Sequence, residues 1–246
     1  MIGADAIIKC LEAEGVSTVF GYPGVAICPF FNSILDSEIR TVLIRTEQNA
    51  AHAASGVARM TGRPGVCAVT SGPGATNVIT GIATAFADSI PLICITGQVN
   101  SELLGSDVFQ EADITGAVES FVKYSYLVKN VNDIPRVFKE AFYIANTGRK
   151  GPVWLDIPVN YQGCFIETDN LSGYDPEEDD KLLPPKVSDE TVDLILEKIK
   201  KAQRPVIYAG GGIRLSGGYE AFKAAVEKLG VPVVTYWNSV DVIEDD

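Results

Sequence analysis

Short β-branched and aliphatic runs alternate along this chain with segments whose apolar residues recur at helical spacing, and this alternation constrains the fold more than any other feature. Ala4–Glu14 reads as a helix, Thr18–Gly21 as a short strand, Pro29–Ser33 as the opening of a helix and Thr41–Ile44 as a second strand. Helix Gln48–Met60, strand Gly65–Thr70, helix Ala75–Ala87 and strand Leu92–Gly97 continue the series, and after a long loop come Phe121–Leu127, helix Ile134–Asn146 and strand Pro152–Ile157. This is the pattern of a doubly wound parallel sheet with helices on both faces, an α/β fold.

From Glu167 to Lys186 the sequence turns polar, acidic and proline-containing, which predicts a linker over about 166–188. Beyond it, helix Asp189–Ala202, strand Pro205–Tyr208, the triplet Gly210-Gly211-Gly212, helix Tyr219–Leu229 and strand Pro232–Tyr236 begin a second α/β unit, expected to be incomplete within 189–246. At 246 residues, 46% hydrophobic and 21% charged, the chain has the composition of one or two globular domains. A formal charge of −12 argues against nucleic-acid and anionic-membrane surfaces. The acidic clusters Glu177–Asp180 and Glu244–Asp246 read as solvated linker and chain end.

Five cysteines, odd in number and without a C-x-x-C pair, fit free thiols in a reducing cytoplasm. No apolar run reaches the length of a membrane span, and no signal-peptide pattern opens the chain, so a cytosolic protein is expected. The single histidine, His52, rules out a multi-histidine metal site and reads as packing or helix surface.

Ligands of an open parallel sheet bind at the C-terminal ends of its strands. Three junctions of that kind stand out. Glu47 stands where the strand Thr41–Ile44 hands over to a helix rich in alanine (Ala50, Ala51, Ala53, Ala54), where burial among small residues is expected. Two readings of it stay open, a catalytic carboxylate or an acid complementing the helix dipole. The loop Thr70-Ser71-Gly72-Pro73-Gly74-Ala75-Thr76-Asn77 has the glycines for a tight turn or a close ligand, but no G-K-[ST] ending and no Lys or Arg. A neutral, flat ligand edge suits it better than a diphosphate, and structural tightness alone would also explain it. The loop Gly21-Tyr22-Pro23-Gly24-Val25-Ala26 is a Pro-Gly turn or the third wall of one crevice.

Taken together, Tyr22-Pro23-Gly24, Arg45-Thr46-Glu47-Gln48, Thr70–Asn77, Asp88-Ser89-Ile90-Pro91 with Ile95–Val99, and Phe109-Gln110-Glu111 resemble the pyrimidine-binding domain of thiamine-diphosphate enzymes. Within that family they are most similar to the large subunits of acetohydroxyacid (acetolactate) synthases. The resemblance covers about residues 1–165, and Lys201–Trp237 looks like the start of that family's central, FAD-binding domain.

It implies that Glu47 bonds the cofactor's aminopyrimidine and promotes proton loss at the thiazolium C2. It further implies that Tyr22, Pro23, Gly24, Val25, Ala26, Pro73 and Asn77 border thiamine diphosphate, and that Gln110 stands near the reacting centre with Phe109 as a substrate wall. Without the resemblance, Phe109 reads equally as core and Gln110 as a loop hydrogen-bonder. Arg149 matches an FAD contact, and Gly210, Gly211 and Gly212 would admit the flavin, although a bare glycine triplet is otherwise a turn. The implied activity is decarboxylation of pyruvate and condensation with a second 2-oxo acid, as in branched-chain amino-acid biosynthesis. A homodimer or tetramer and a regulatory small subunit are implied with it.

Departures from the family pattern are Thr46 for a histidine, Val25 for a glycine and Val159 for a lysine. No Gly-Asp pair occurs in the chain, so the family's Gly-Asp-Gly motif, which holds Mg²⁺ and the diphosphate, is not present. A truncated or split subunit is the expectation. An acetolactate-synthase-like enzyme of another pathway, and a non-catalytic assembly module, are the alternatives.

Overall fold

A computed structural model describes residues 1–171, 173–177, 179, 183 and 185–243. It divides into two compact units, Met1–Leu183 and Pro184–Asp246. Of the acidic residues read as linker and chain end, Glu178, Asp180, Glu244, Asp245 and Asp246 lie outside the described residues.

The first unit runs α1 (Gly3–Ala13), β1 (Thr18–Tyr22), α2 (Cys28–Ser33), β2 (Arg40–Leu43), α3 (Glu47–Thr61), β3 (Gly65–Val69), α4 (Pro73–Ala87) and β4 (Leu92–Gln98). It continues through α5 (Ile114–Val118), β5 (Tyr124–Leu127), α6 (Ile134–Asn146), β6 (Pro152–Pro158) and α7 (Val159–Gly163). The six strands form one parallel sheet in the order β2-β1-β3-β4-β6-β5. β3, β4 and β6 are buried along their whole length, as central strands covered on both faces must be, and they read as mostly apolar runs broken by Thr96, Gln98 and Asp156.

The two faces are packed differently. On one, Ile7, Leu11, Phe138 and Phe142 of α1 and α6 meet Val19, Val66, Ile93, Ile95 and Leu155 in a core of large side chains. On the other, α3 and α4 approach each other closely because the contact is made of small residues. A Cβ on Gly81 would lie 2.5 Å from Ala51 Cβ, and one on Gly65 would lie 2.0 Å from the Ala54 carbonyl oxygen. Ala50, Ala51, Ala54, Ala75 and Ala85 are buried there.

The start of the chain is stitched to residue 166 and its neighbours. Ile2 bridges Phe165, the Gly3 N–H donates to the Cys164 carbonyl at 2.8 Å, and the Ile166 N–H donates to the Met1 carbonyl at 3.1 Å. The expected linker therefore divides differently from its composition. Ile166 and Tyr174 are buried, and the Tyr174 ring lies 5.7 Å from that of Tyr143, so apolar side chains within the acidic stretch fold back onto the first unit.

In the second unit, α8 (Asp189–Lys201), β7 (Ile207–Ala209), α9 (Gly212–Leu215), α10 (Tyr219–Leu229) and β8 (Val233–Thr235) follow in order. β7 and β8 form a two-stranded parallel sheet, Ile207 opposite Val233. The short α9, which begins at the last glycine of the triplet, is not expected from the sequence. Among the described residues no helix is long and apolar enough to cross a membrane.

Candidate active site

The direction in which strands are added to the sheet reverses between β1 and β3: β2 lies on one side of β1, and the chain then crosses to β3 on the other. At such a switch point the loops leaving the C-terminal strand ends diverge and open a crevice. Those loops are the three singled out in the sequence.

Their contacts form a continuous chain. The loop after β1 touches the loop after β3, since a Cβ on Gly24 would lie 2.5 Å from Thr70 Cβ. The loop after β3 reaches the start of α3, where a Cβ on Gly74 would lie 3.7 Å from Glu47 Oε1. Across the start of the two helices, Asn77 Nδ2 donates to Glu47 Oε2 at 3.1 Å. Gly72, with φ 56° and ψ −119° in a region only glycine adopts comfortably, lies against the Gln110 backbone. A Cβ there would be 2.8 Å from the Gln110 carbonyl oxygen. Gln110 itself has φ +62°, unusual for a residue with a side chain.

Glu47 is half-buried rather than enclosed, because the first turn of α3 faces the open crevice while the alanines of later turns face the sheet. Its Oε2 is engaged by Asn77, and its Oε1 makes no hydrogen bond among the described residues. Tyr22, Val25 and Phe109 present exposed side chains, Phe109 being 87% exposed. Pro73 starts α4. Ala26 is buried in a short turn, and its carbonyl accepts a 2.8 Å bond from Gln162 Nε2, so its side chain belongs to the packing under the crevice. His52 is on the exposed surface of α3.

Arg149 is not brought to this crevice. Arg149 precedes β6 at the opposite, N-terminal edge of the sheet, where its Nε donates to Ser89 Oγ at 2.7 Å. Gly210, Gly211 and Gly212 belong to the second unit.

One residue of the crevice was quoted in the motifs without being singled out. Thr70 Oγ1 is buried without a hydrogen-bond partner among the described residues. An orphaned hydroxyl of this kind costs on the order of 1–3 kcal/mol, which a ligand can recover by bonding to it.

Comparison with known proteins fits this arrangement. Residues 1–117 match the thiamine pyrophosphate enzyme N-terminal TPP binding domain, and residues 192–246 match the central domain of the same enzymes. The chain belongs to the thiamine pyrophosphate enzyme family. It is 46% identical over 243 residues to a probable acetolactate synthase large subunit of Methanocaldococcus jannaschii, covering 96% of this chain and 40% of that one. It is 44% identical over 241 residues to the acetolactate synthase large subunit of Corynebacterium glutamicum, covering 96% and 37%. With that of Lactococcus lactis it shares 42% over 239 residues, covering 95% and 40%. The chain thus spans about two fifths of the length of these curated relatives.

Thiamine pyrophosphate enzymes bind a cofactor with a flat aminopyrimidine, and the crevice fits one. It offers, among the described residues, a carboxylate oxygen that makes no hydrogen bond and a buried hydroxyl without a partner, beside loops that Gly72 and Gly74 let pack closely. Glu47, Asn77 and Thr70 are the polar groups of the crevice, and Tyr22, Val25 and Phe109 are its exposed apolar side chains.

Proposed function

We propose that this chain is the pyrimidine-binding part of a thiamine-diphosphate-dependent carboligase of the acetolactate synthase type, acting on pyruvate and a second 2-oxo acid. The observation that carries the reading is Glu47, paired through Oε2 with Asn77 and free at Oε1, at the switch point of the sheet. Bound thiamine diphosphate supplies the electron sink that lets a 2-oxo acid lose carbon dioxide.

The work of this chain's own residues is to seat and orient. Asn77 fixes the Glu47 carboxylate so that Oε1 faces the crevice and can hold a proton against a ring nitrogen. Gly72 and Gly74 let the walls pack closely, Gly72 against the Gln110 backbone and Gly74 against Thr70, and Thr70 Oγ1 offers a further polar contact. Gln110, beside Gly72, faces the side where a 2-oxo acid would enter, with Phe109 as an apolar wall that excludes water. The sequence has no Gly-Asp pair, so we assign the diphosphate and Mg²⁺ to residues outside it.

FAD is a finer part of the same reading. Gly210 and Gly212 have no positive φ, and a Cβ on either would meet no protein atom within 4 Å, so neither backbone nor packing requires glycine there. Close approach of a ligand is one use of glycine there, and Arg149, in the first unit, is taken separately as a charge-assisted FAD contact on the resemblance. A homodimer or tetramer, a regulatory small subunit and a cytoplasmic location complete the proposal.

The test is Glu47→Gln in this chain joined to a diphosphate-binding half, assayed for acetolactate from pyruvate with thiamine diphosphate and Mg²⁺. Removing the acid is expected to lower turnover about 10²–10⁴-fold. Cofactor affinity should change far less. Turnover near wild type would make Glu47 a helix-start acid and overturn the assignment.

A further inference from the structure

Next to the crevice, at the C-terminal ends of β4 and β6, lies a cavity of about 290 Å³ lined by Gln98, Leu104, Glu111, Asp113, Leu127 and Asp156 among others. Asp156 is only 1% exposed and Gln98 2%. A carboxyl so deeply buried needs a reason, and the proposed chemistry does not use it.

The hydrogen bonds around it are directional. Trp154 Nε1 donates to Thr96 Oγ1 at 2.9 Å, Thr96 Oγ1 donates to Asp156 Oδ1 at 2.6 Å, and Gln98 Nε2 donates to Asp156 Oδ2 at 2.8 Å. The same Gln98 Nε2 donates to the Ala112 carbonyl at 2.9 Å, while Gln98 Oε1 accepts the Val99 N–H at 2.9 Å. Three bonds fix the amide, and one of them is its only polar hold on the segment carrying Phe109 and Gln110. At the other end of that segment, Glu111 accepts from the backbone N–H groups of Gly105 and of Val108, the latter at 3.1 Å. Glu111 thus shapes the turn, and Gln98 ties the turn to the sheet.

We propose that Gln98 and Asp156 are positioning residues of a proton-sensitive clasp, in which Gln98 holds the Phe109–Gln110 loop down and ionisation of Asp156 loosens it. The inference rests on the reading of Gln110 as a residue of the cofactor crevice. The loop and its cavity cover Asp156. Lifting the loop admits water, which favours the charged carboxylate, so by linkage the charged carboxylate favours the lifted loop.

The groups facing Asp156 add to this. Glu111 and Asp113 line the same cavity, and Cys94 of β4 lies within its field. None carries positive charge, and no Lys or Arg is among the lining residues. Burial first, and then Asp113, pushes the Asp156 carboxyl up to about 7 against the bonds from Thr96 and Gln98.

Hydrogen exchange on the ligand-free chain tests the clasp without depending on whether thiamine diphosphate binds. In the wild type, protection of the amides from Gly105 to Asp113 is expected to fall about tenfold between pH 6 and 8, the scale set by one proton. The loop amides should exchange through a local opening of lower free energy than the global unfolding that exposes β3 and α6, and the step is read in that local opening. Asp156→Asn can keep the bond from Gln98 to its Oδ1 and turn its amide toward Thr96, so it should retain loop protection and lose the pH step. Gln98→Met, similar in volume but without donors, should lose loop protection at every pH while α6 stays protected.

Wild-type loop protection independent of pH would overturn the proton sensitivity. Loop protection unchanged in Gln98→Met would overturn the clasp. If either variant fails to fold, the wild-type pH series and the remaining variant still decide. Loss of thiamine diphosphate binding in Glu47→Gln, with the clasp intact, bears on the proposed function alone.

Discussion

Helices α6 and α8 have equal length and similar amphipathic patterns, yet they behave differently. In α6, Ile134, Val137, Phe138, Ala141, Phe142, Ile144 and Ala145 are all buried. In α8, Val192, Ile195, Leu196 and Ile199 make an apolar stripe at helical spacing, and no residue of the helix is buried, Ile195 being 50% exposed. The pattern selects the helix; burial requires a surface to receive the stripe. The first unit provides that surface from six strands, and the described part of the second has two. Stability in this chain should therefore be concentrated in the first unit, with the second opening at lower cost.

The sharpest way to break the comparison is to truncate one residue in each stripe. Phe138→Ala, at a position with no exposure, is expected to destabilise the first unit by about 3–5 kcal/mol. Ile195→Ala should stay within about 0.5 kcal/mol. Urea unfolding followed by exchange resolved to each unit measures both, and equal costs would mean that α8 is covered in solution.

A second effect is expected only in the first unit. Asp156 has its carboxyl raised to about 7 by burial, so the folded chain retains a proton that the unfolded chain gives up from about pH 4. The stability this contributes is fully present below the unfolded value and is lost as pH rises through 7, a change on the order of a few kcal/mol. The difference between wild type and Asp156→Asn across pH 4–8 isolates it. A step of the same size in the second unit would assign it elsewhere.

The smallest effect sets stability against function inside the first unit. Thr70→Val removes the unpartnered hydroxyl, so the ligand-free unit should gain about 1 kcal/mol by thermal or urea unfolding. Affinity for thiamine diphosphate in a chain completed for binding should fall. A loss of stability instead would show that the hydroxyl is already satisfied.

Much of this was legible in the sequence for reasons that can be named. β3, β4 and β6 are β-branched runs bounded by Gly or Pro, and helix Tyr219–Leu229 falls on the residues its periodicity marks. Gln48–Met60 misses only the end residues of α3, because Glu47 already occupies the first helical turn. The short helices α5, α7 and α9 are missed, since each has a glycine and too few residues to set a period.

Of the crevice, Tyr22, Glu47, Pro73, Asn77 and Gln110 were readable as motif residues, and the structure brings their loops together. Ala26 was readable only as part of a string, and its burial depends on Gln162, far along the chain. Thr70 carried no signal of its own, because a missing partner is a property of packing. Gln98 and Asp156 did leave a trace. Each is a polar residue near the C-terminal end of a mostly apolar, fully buried strand, where a buried amide or carboxylate needs a partner to be tolerated. The linker misled through composition: the acids set the tone of the stretch, while Ile166 and Tyr174 fix its path.

The stitching of Met1, Ile2 and Gly3 to Cys164, Phe165 and Ile166 has a consequence for how the six-stranded body can be handled. Its entrance and exit are adjacent, so the peptide between them is topologically a closed circuit, and the order in which that circuit is read is not imposed by the sheet. Such a body can be circularly permuted or inserted whole into another chain with little disturbance to its interior.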